Sequence, residues 1–263
     1  MKLHAIHNFY DIIMSLIKND QQGELMENNL KYILLDLDGT LLPMDQDVFV
    51  KSYFGRLAKK LAPHGYEPNE LIASIWAGTK AMITNDGSCT NETAFWNKFS
   101  SIYGEEVRQN IPLFDEYYHN EFLGVKESCG YTPLAKTLID TLKTKGYTLA
   151  LATNPIFPAV ATRNRIAWAG LKEEDFVLYT TYENARFCKP NLAYYQDILD
   201  ALGAKPEECM MIGNDVGEDM VAQKLGMQVY LITDCLINKV DADISSFPHG
   251  TMEDLLQYIT KEL

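Results

Sequence analysis

Two acidic side chains close an apolar run in Tyr32-Ile33-Leu34-Leu35-Asp36-Leu37-Asp38-Gly39-Thr40. Asp36 and Asp38 stand two residues apart, so in extended chain they share one face at a separation of roughly 6.6 Å. The apolar residues before them read as a strand covered on both faces, as in a parallel sheet. Carboxylates at such a place repel each other and resist desolvation unless a cation joins them. Gly39 can take a backbone angle closed to other residues and turn the chain out of the sheet. An Asp-Gly turn would account for Asp38 and Gly39 alone. It gives no reason for Asp36 inside the apolar pattern, and a site does.

Two more apolar strands end in polar clusters. Thr148-Leu149-Ala150-Leu151-Ala152 runs into Thr153-Asn154-Pro155, and Cys209-Met210-Met211-Ile212 into Gly213-Asn214-Asp215-Val216-Gly217-Glu218-Asp219. In a doubly wound sheet, ligands bind beyond the carboxyl ends of the strands, where strand order reverses. A cation could join the carboxylates of the first and third clusters, and carboxylate oxygens with water and a phosphate oxygen suit Mg²⁺. The Thr153 hydroxyl and Asn154 amide can donate to an anion held there. Each piece alone has a structural explanation. Thr153 can simply end a strand, Lys189-Pro190 is too short a pair to mean anything by itself, and Asp215 or Asp219 can cap a helix or begin one. Their order and their common place at strand ends carry the argument.

The elements that must position these residues follow from periodicity. Leu3, Ile6, Phe9, Ile13 and Leu16 give an amphipathic helix in an N-terminal accessory extension, residues 1–29, which lacks the pattern of a signal peptide. After Thr40 comes a helical stretch. Val48, Phe49, Tyr53, Leu57 and Leu61 form one stripe, and Leu71, Ile72, Ile75, Trp76 and Met82 a second. Phe95, Trp96, Phe99, Ile102 and Tyr103, capped by Asn91, form a third, and Phe114, Tyr117, Tyr118, Glu121 and Phe122 a fourth. These predict a small helical bundle over residues 45–131, with the aromatics as its core and the loop Thr84-Asn85-Asp86-Gly87-Ser88 reaching toward a ligand. From Thr132 helices and strands alternate: a helix over 134–145, the strand 148–152, a helix over 160–168, a short strand over 176–179 and a helix over 192–202. A strand at 209–212, a helix to Leu225, a strand over 228–232 and a helix from Met252 complete the chain. The fold class is α/β: a doubly wound, Rossmann-like parallel sheet, residues 30–44 and 132–263, with an inserted helical bundle.

Composition narrows the function. The net charge of −13 argues against nucleic acid or an anionic membrane as partner, since both need a basic face. No run approaches the roughly 18 apolar residues of a spanning helix. Five cysteines without a Cys-x-x-Cys pair fit reduced thiols in a cytoplasmic protein, and the five histidines show no metal-ligand spacing.

With these motifs in place, the chain resembles the haloacid dehalogenase (HAD) superfamily of hydrolases, whose nucleophile is an aspartate. The motifs fall in family order: Asp36-Leu37-Asp38-Gly39-Thr40, Thr153, Lys189, and Gly213-Asn214-Asp215 through Asp219. The helical insertion after the first motif resembles the C1-type cap. The resemblance covers about residues 30 to 235. It implies that Asp36 attacks phosphorus to give an aspartyl phosphate and that Asp38 serves as acid and then base. It implies Mg²⁺ held by Asp36, the main-chain carbonyl of Asp38 and Asp215. Thr153 and Asn154 would bind the phosphoryl group, Lys189 would balance the charge of Asp36 and of the transferring oxygens, and Asp219 would reach the metal through water or orient Lys189. Many relatives have Gly-Asp where this chain has Gly213-Asn214, so Asn214 stands as an alternative ligand to Asp215. The implied function is a Mg²⁺-dependent phosphatase acting on a small phosphorylated metabolite. A phosphomutase would use the same residues, and a phospho-ligand sensor would keep only the fold. A 2-haloacid dehalogenase would have no need of Asp38 as an acid.

Overall fold

The structure, a computed structural model, describes residues 29–239 and 241–263. The amphipathic helix expected on residues 3–16 lies outside them. Tyr32–Leu35 form β1, and the unbroken apolar run is explained by its cover on both faces: Ile33, Leu34 and Leu35 are fully buried. β1 pairs in parallel with Thr148–Leu151 (β2) on one edge, and Leu178–Tyr179 (β3) extends the sheet there. On the other edge stand Cys209–Gly213 (β4), Gln228–Ile232 (β5) and His249–Gly250 (β6), again all parallel. The order β3-β2-β1-β4-β5-β6 reverses at β1, which makes the end of β1 the switch point of a doubly wound sheet. β6 has no counterpart in the sequence reading, because two residues carry too little periodicity to be seen.

Register brings the three polar clusters together. Leu35 lies opposite both Leu151 and Ile212. The Asp36 N–H still donates to the Ile212 carbonyl at 2.9 Å, and the Ala152 N–H to the Leu35 carbonyl at 2.7 Å. The residues that follow on each strand therefore leave the sheet side by side. Gly39 then turns the chain at φ +85°, and a Cβ there would stand 2.3 Å from Asn214 Nδ2. Only glycine satisfies both demands.

Four helices follow β1 within residues 45–131: Gln46–Leu61 (α1), Pro68–Ile83 (α2), Asn91–Tyr103 (α3) and Ile111–His119 (α4). Each of the first three begins at a side-chain cap, Asp45, Glu67 and Thr90 respectively. The cap of α3 is thus Thr90, not Asn91 as the sequence suggested. Asn91 is fully buried in the first turn, where its Nδ2 approaches the Pro155 carbonyl at 3.2 Å and Cys188 Sγ at 3.4 Å. Backbone N–H groups of Asn91 and Glu92 donate to Ala185 and Tyr182 carbonyls. The start of α3 is therefore fastened to the loops that follow β2 and β3. Val48, Trp76 and Ile102, expected inside their stripes, are about half exposed. A helix turns roughly 100° per residue, so Val48 and Trp76 fall at the edges of the faces defined by buried Phe49 and Ile75.

The remaining helices are Pro133–Thr144 (α5), Ala159–Trp168 (α6), Leu192–Leu202 (α7) and Met252–Glu262 (α8). The helix expected after Asp219 is a 3₁₀ segment, Met220–Leu225, stopped by Gly226 in the left-handed region.

Candidate active site

Beyond the end of β1, Asp36 and Lys189 form a buried ion pair. Lys189 Nζ donates to Asp36 Oδ1 at 2.8 Å and to Asp219 Oδ1 at 2.6 Å. Burial alone would push the ammonium down, but the Asp219 and Asp36 carboxylates outweigh it and hold Lys189 well above its ordinary value. The Thr40 hydroxyl lies 3.2 Å from Asp36 Oδ2 and 3.1 Å from Asn214 Oδ1, and its single proton serves one at a time.

Asp38 points to a different cation. Its Oδ2 accepts a short hydrogen bond from Nη1 of Arg165, a buried guanidinium on α6. Arg165 is held by the Ala161 carbonyl and Thr162 hydroxyl, each at 3.3 Å, and lies 4.6 Å over the Phe157 ring. Burial raises the Asp38 carboxyl, Arg165 pulls it back down, and the nearby Asp36 charge raises it again; the net direction is up. Asp38 Oδ1 is buried with no hydrogen-bond partner.

The cluster after β4 is organised by its own backbone. Asp215 Oδ1 accepts the N–H groups of Gly217 and Glu218 at 2.8 and 2.9 Å. Asp219 Oδ2 accepts the Asp215 N–H at 2.9 Å, while its Oδ1 faces Lys189. Burial pushes the Asp219 carboxyl up, against the pull of Lys189. Asn214 donates to the Cys235 carbonyl at 2.6 Å, so its amide spans two loops. Asn154 Nδ2 donates to Glu218 Oε2 at 2.9 Å, leaving Asn154 Oδ1 buried without a partner. Burial also raises Glu218. The Thr153 carbonyl accepts the Thr180 and Tyr194 hydroxyls at 2.6 and 2.9 Å, which fixes the backbone that carries the Thr153 side chain.

These groups form the floor of a cavity of about 320 Å³, roofed by α1 to α4. Asp36, Asp38, Thr153, Asn154, Asn214, Asp215, Glu218 and Asp219 all line it. None of residues 84–88 does. The loop expected to reach a ligand packs instead on Phe187, whose ring would stand 2.3 Å from a Cβ at Gly87. Several aromatics expected as bundle core, among them Phe49, Trp96 and Phe114, are buried and also face this cavity.

Among the described residues no three His, Cys, Asp or Glu side chains stand together as a closed metal site. The four aspartates expected around a metal are divided: Asp219 is committed to Lys189 and Asp38's side chain to Arg165. The donors left are Asp36, whose Oδ2 faces only the Thr40 hydroxyl among the described residues while Oδ1 meets Lys189, and Asp215; both offer hard oxygens at the cavity floor. They suit Mg²⁺, which keeps several waters and is commonly bound by one or two carboxylates plus substrate phosphate. Both hydrogen bonds to Asp215 fall on Oδ1, so its Oδ2 remains available.

Sequence reasoning expected Lys189 and a metal as the cations at the acid pair and missed Arg165. The signal was present: Ala161, Arg165 and Trp168 follow helical spacing on one face, which places an arginine on a buried side. Glu218, inside the fourth motif, was also passed over.

The likeness to known proteins agrees with this geometry. A family model of haloacid dehalogenase-like hydrolases matches residues 30–226, and the chain belongs to that family. The glyceraldehyde 3-phosphate phosphatase of Methanothermobacter thermautotrophicus is 29% identical over 208 residues, 77% of this chain and 85% of that one. Pyrophosphatase PpaX of Bacillus cereus is 24% identical over 230 residues, 87% of this chain and 95% of the relative. The solved 2-haloacid dehalogenase of Pseudomonas syringae pv. Tomato superposes with a TM-score of 0.61 at 17% identity, covering 89% of this chain and all of the other. That likeness concerns the fold alone.

Proposed function

We propose that the enzyme is a Mg²⁺-dependent phosphatase that hydrolyses a small phosphate monoester through an aspartyl phosphate on Asp36. The observation that carries this reading is the different pairing of two neighbouring carboxyls. Asp36 rests against a buried ammonium, as a nucleophile facing a phosphate requires. Asp38 is raised by burial and keeps one oxygen unpartnered, as an acid poised at the cavity requires.

In this mechanism an Asp36 oxygen attacks phosphorus, the bond to the alcohol oxygen breaks, and that oxygen takes the Asp38 proton. Asp38, now a carboxylate, takes a proton from a water that attacks phosphorus, which frees phosphate and restores Asp36. Lys189 offsets charge on Asp36 and on the transferring oxygens. The Thr153 hydroxyl and the second N–H of Asn154 bind the phosphoryl group, with Asn154 anchored by Glu218. Held by Asp36, Asp215 and the Asp38 carbonyl, Mg²⁺ would offset the phosphate charge that otherwise repels the nucleophile.

In the proposed division, residues 30–44 and 132–263 form the catalytic core and residues 45–131 a cap that keeps bulk water from the intermediate. Residues 1–29 are accessory. Five free cysteines and the absence, among the described residues, of any helix fit to cross a membrane accord with a cytoplasmic enzyme. With p-nitrophenyl phosphate and Mg²⁺, many turnovers are expected without any added bisphosphate. Activity that appears only with a bisphosphate would replace hydrolase by mutase.

A further inference from the structure

We propose that the alcohol half of the substrate is an apolar, ring-sized group that carries no second anion. This rests on the phosphatase reading of the same cavity and names the leaving group it takes. The two ends of the cavity differ in chemistry. The floor is polar and acidic, with Lys189 and Arg165 held behind it. The wall built by α1 to α4 is mostly aromatic and aliphatic: Phe49 and Phe54 from α1, Trp76 and Ile83 from α2, Trp96 from α3 and Phe114 from α4 line it, with a few polar side chains between them. These rings are packed on one another before any ligand arrives. Phe54 meets Trp76 at 5.4 Å between centroids, and Trp96 meets Phe114 edge-on at 5.3 Å.

Charge on this wall is absent or of the wrong sign for a second anion. No Lys, Arg or His of α1 to α4 lines the cavity, and the one lining cation among the described residues, Lys239, lies in the loop after β5. The only charged lining residue of those helices is Asp115. A carboxylate or second phosphate on the leaving group would lose water there with only neutral side chains such as Gln46 and Thr79 to meet it, and would face an acid. An apolar ring would instead cover surface that is otherwise wet. Trp76 and Ile83 line the cavity yet are 50% and 47% exposed. At roughly 30 Å³ per water, the cavity of about 320 Å³ has the volume of about ten waters. That is room for a phosphoryl group and one compact ring.

The test compares three compounds with Mg²⁺: 2-phenylethyl phosphate, 2-phosphoglycolate and inorganic pyrophosphate. The first should have a kcat/KM on the order of 100-fold above the other two, the scale of discrimination expected when a pocket leaves a buried group unpaired. Equal rates, or a preference for phosphoglycolate or pyrophosphate, would overturn the proposal while leaving an Asp36-dependent phosphatase intact. No turnover of any of them or of p-nitrophenyl phosphate would overturn the phosphatase reading and this proposal with it. Trp76→Arg places a cation at the rim, at a half-exposed position where the fold tolerates it, and circular dichroism checks that it does. The preference for the phenylethyl ester should then fall at least tenfold. An unchanged ratio would show that the wall does not set the preference.

Discussion

Replacing Arg165 by methionine keeps most of the side-chain volume and removes the cation on which Asp38 rests. In the native protein the guanidinium is 1% exposed and the Asp38 side chain 23% exposed. The substitution also gives up the contacts to the Ala161 carbonyl and Thr162 hydroxyl and the seat over Phe157. Removing one partner of a buried pair costs about 3–5 kcal/mol. Partial exposure of Asp38, and its freedom to take up a proton, put the loss near the lower end, about 3 kcal/mol. At about 2–4 °C per kcal/mol for a chain of this size, Tm should fall by about 6–12 °C. The pH dependence has a definite sign. Arg165 pulls the Asp38 carboxyl down, so without it that carboxyl rises further. A carboxyl raised in the folded state favours folding only while protonated, so its penalty grows as pH rises from the ordinary carboxylate range through the raised value. R165M should therefore lose more stability at neutral pH than near pH 4. If Asp38 is the acid, the basic limb of kcat/KM moves to higher pH. Thermal melts at both pH values and a pH–rate profile measure this. The double variant R165M with Asp38→Asn should recover at least half of the lost stability. A single variant that melts within a degree of the native protein, or a double variant no better than the single one, would refute the pairing.

Other predictions concern the surrounding network. Lys189→Met leaves Asp36 and Asp219 buried without the ammonium between them, and should abolish turnover and cost about 3–5 kcal/mol in chemical denaturation. Retention of a tenth of native kcat would count against its role. Asn91→Ala removes the buried amide that joins α3 to the Pro155 and Cys188 loops, for a loss of about 1–3 kcal/mol; an unchanged denaturation midpoint would contradict that. Mg²⁺ at a hundred times its dissociation constant should stabilise the fold by about 2.7 kcal/mol, read as a Tm shift that Asp215→Asn largely removes. If the shift survives in that variant, the ion is bound elsewhere.

Much of this architecture was legible before any coordinates, because buried strands and amphipathic helices advertise themselves by period. The runs ending at Asp36, Thr153 and Asn214 gave the strands, and parallel register then forced their ends together. What escaped notice was set by tertiary contact. Thr90 and Asn91 are both good capping residues, and only docking onto the Ala185 and Tyr182 carbonyls decides that Asn91 goes inside. Arg165 shares the apolar face of α6 with Ala161 and Trp168, but only the approach of α6 to the end of β1 decides that it meets Asp38. The 84–88 loop had suitable polar residues for a ligand, yet its fold is governed by Asn85, which bonds Cys89 and Asn91 within the turn, and by the Phe187 ring. The aromatic stripes fall on α-helices except at Phe122, which with Glu121 lies in the 3₁₀ segment Glu121–Ser128 beyond α4, and periodicity cannot tell a core from a cavity wall.

The central claim is a covalent phosphoryl group on Asp36. Enzyme mixed with p-nitrophenyl phosphate and Mg²⁺, quenched in acid within one turnover and reduced with borohydride, would carry homoserine where an acyl phosphate had formed. Peptide mass spectrometry should locate that change at position 36 alone, and Asp36→Asn should show neither the change nor turnover. Native turnover with position 36 unmodified, or the modification at another aspartate, would contradict the account.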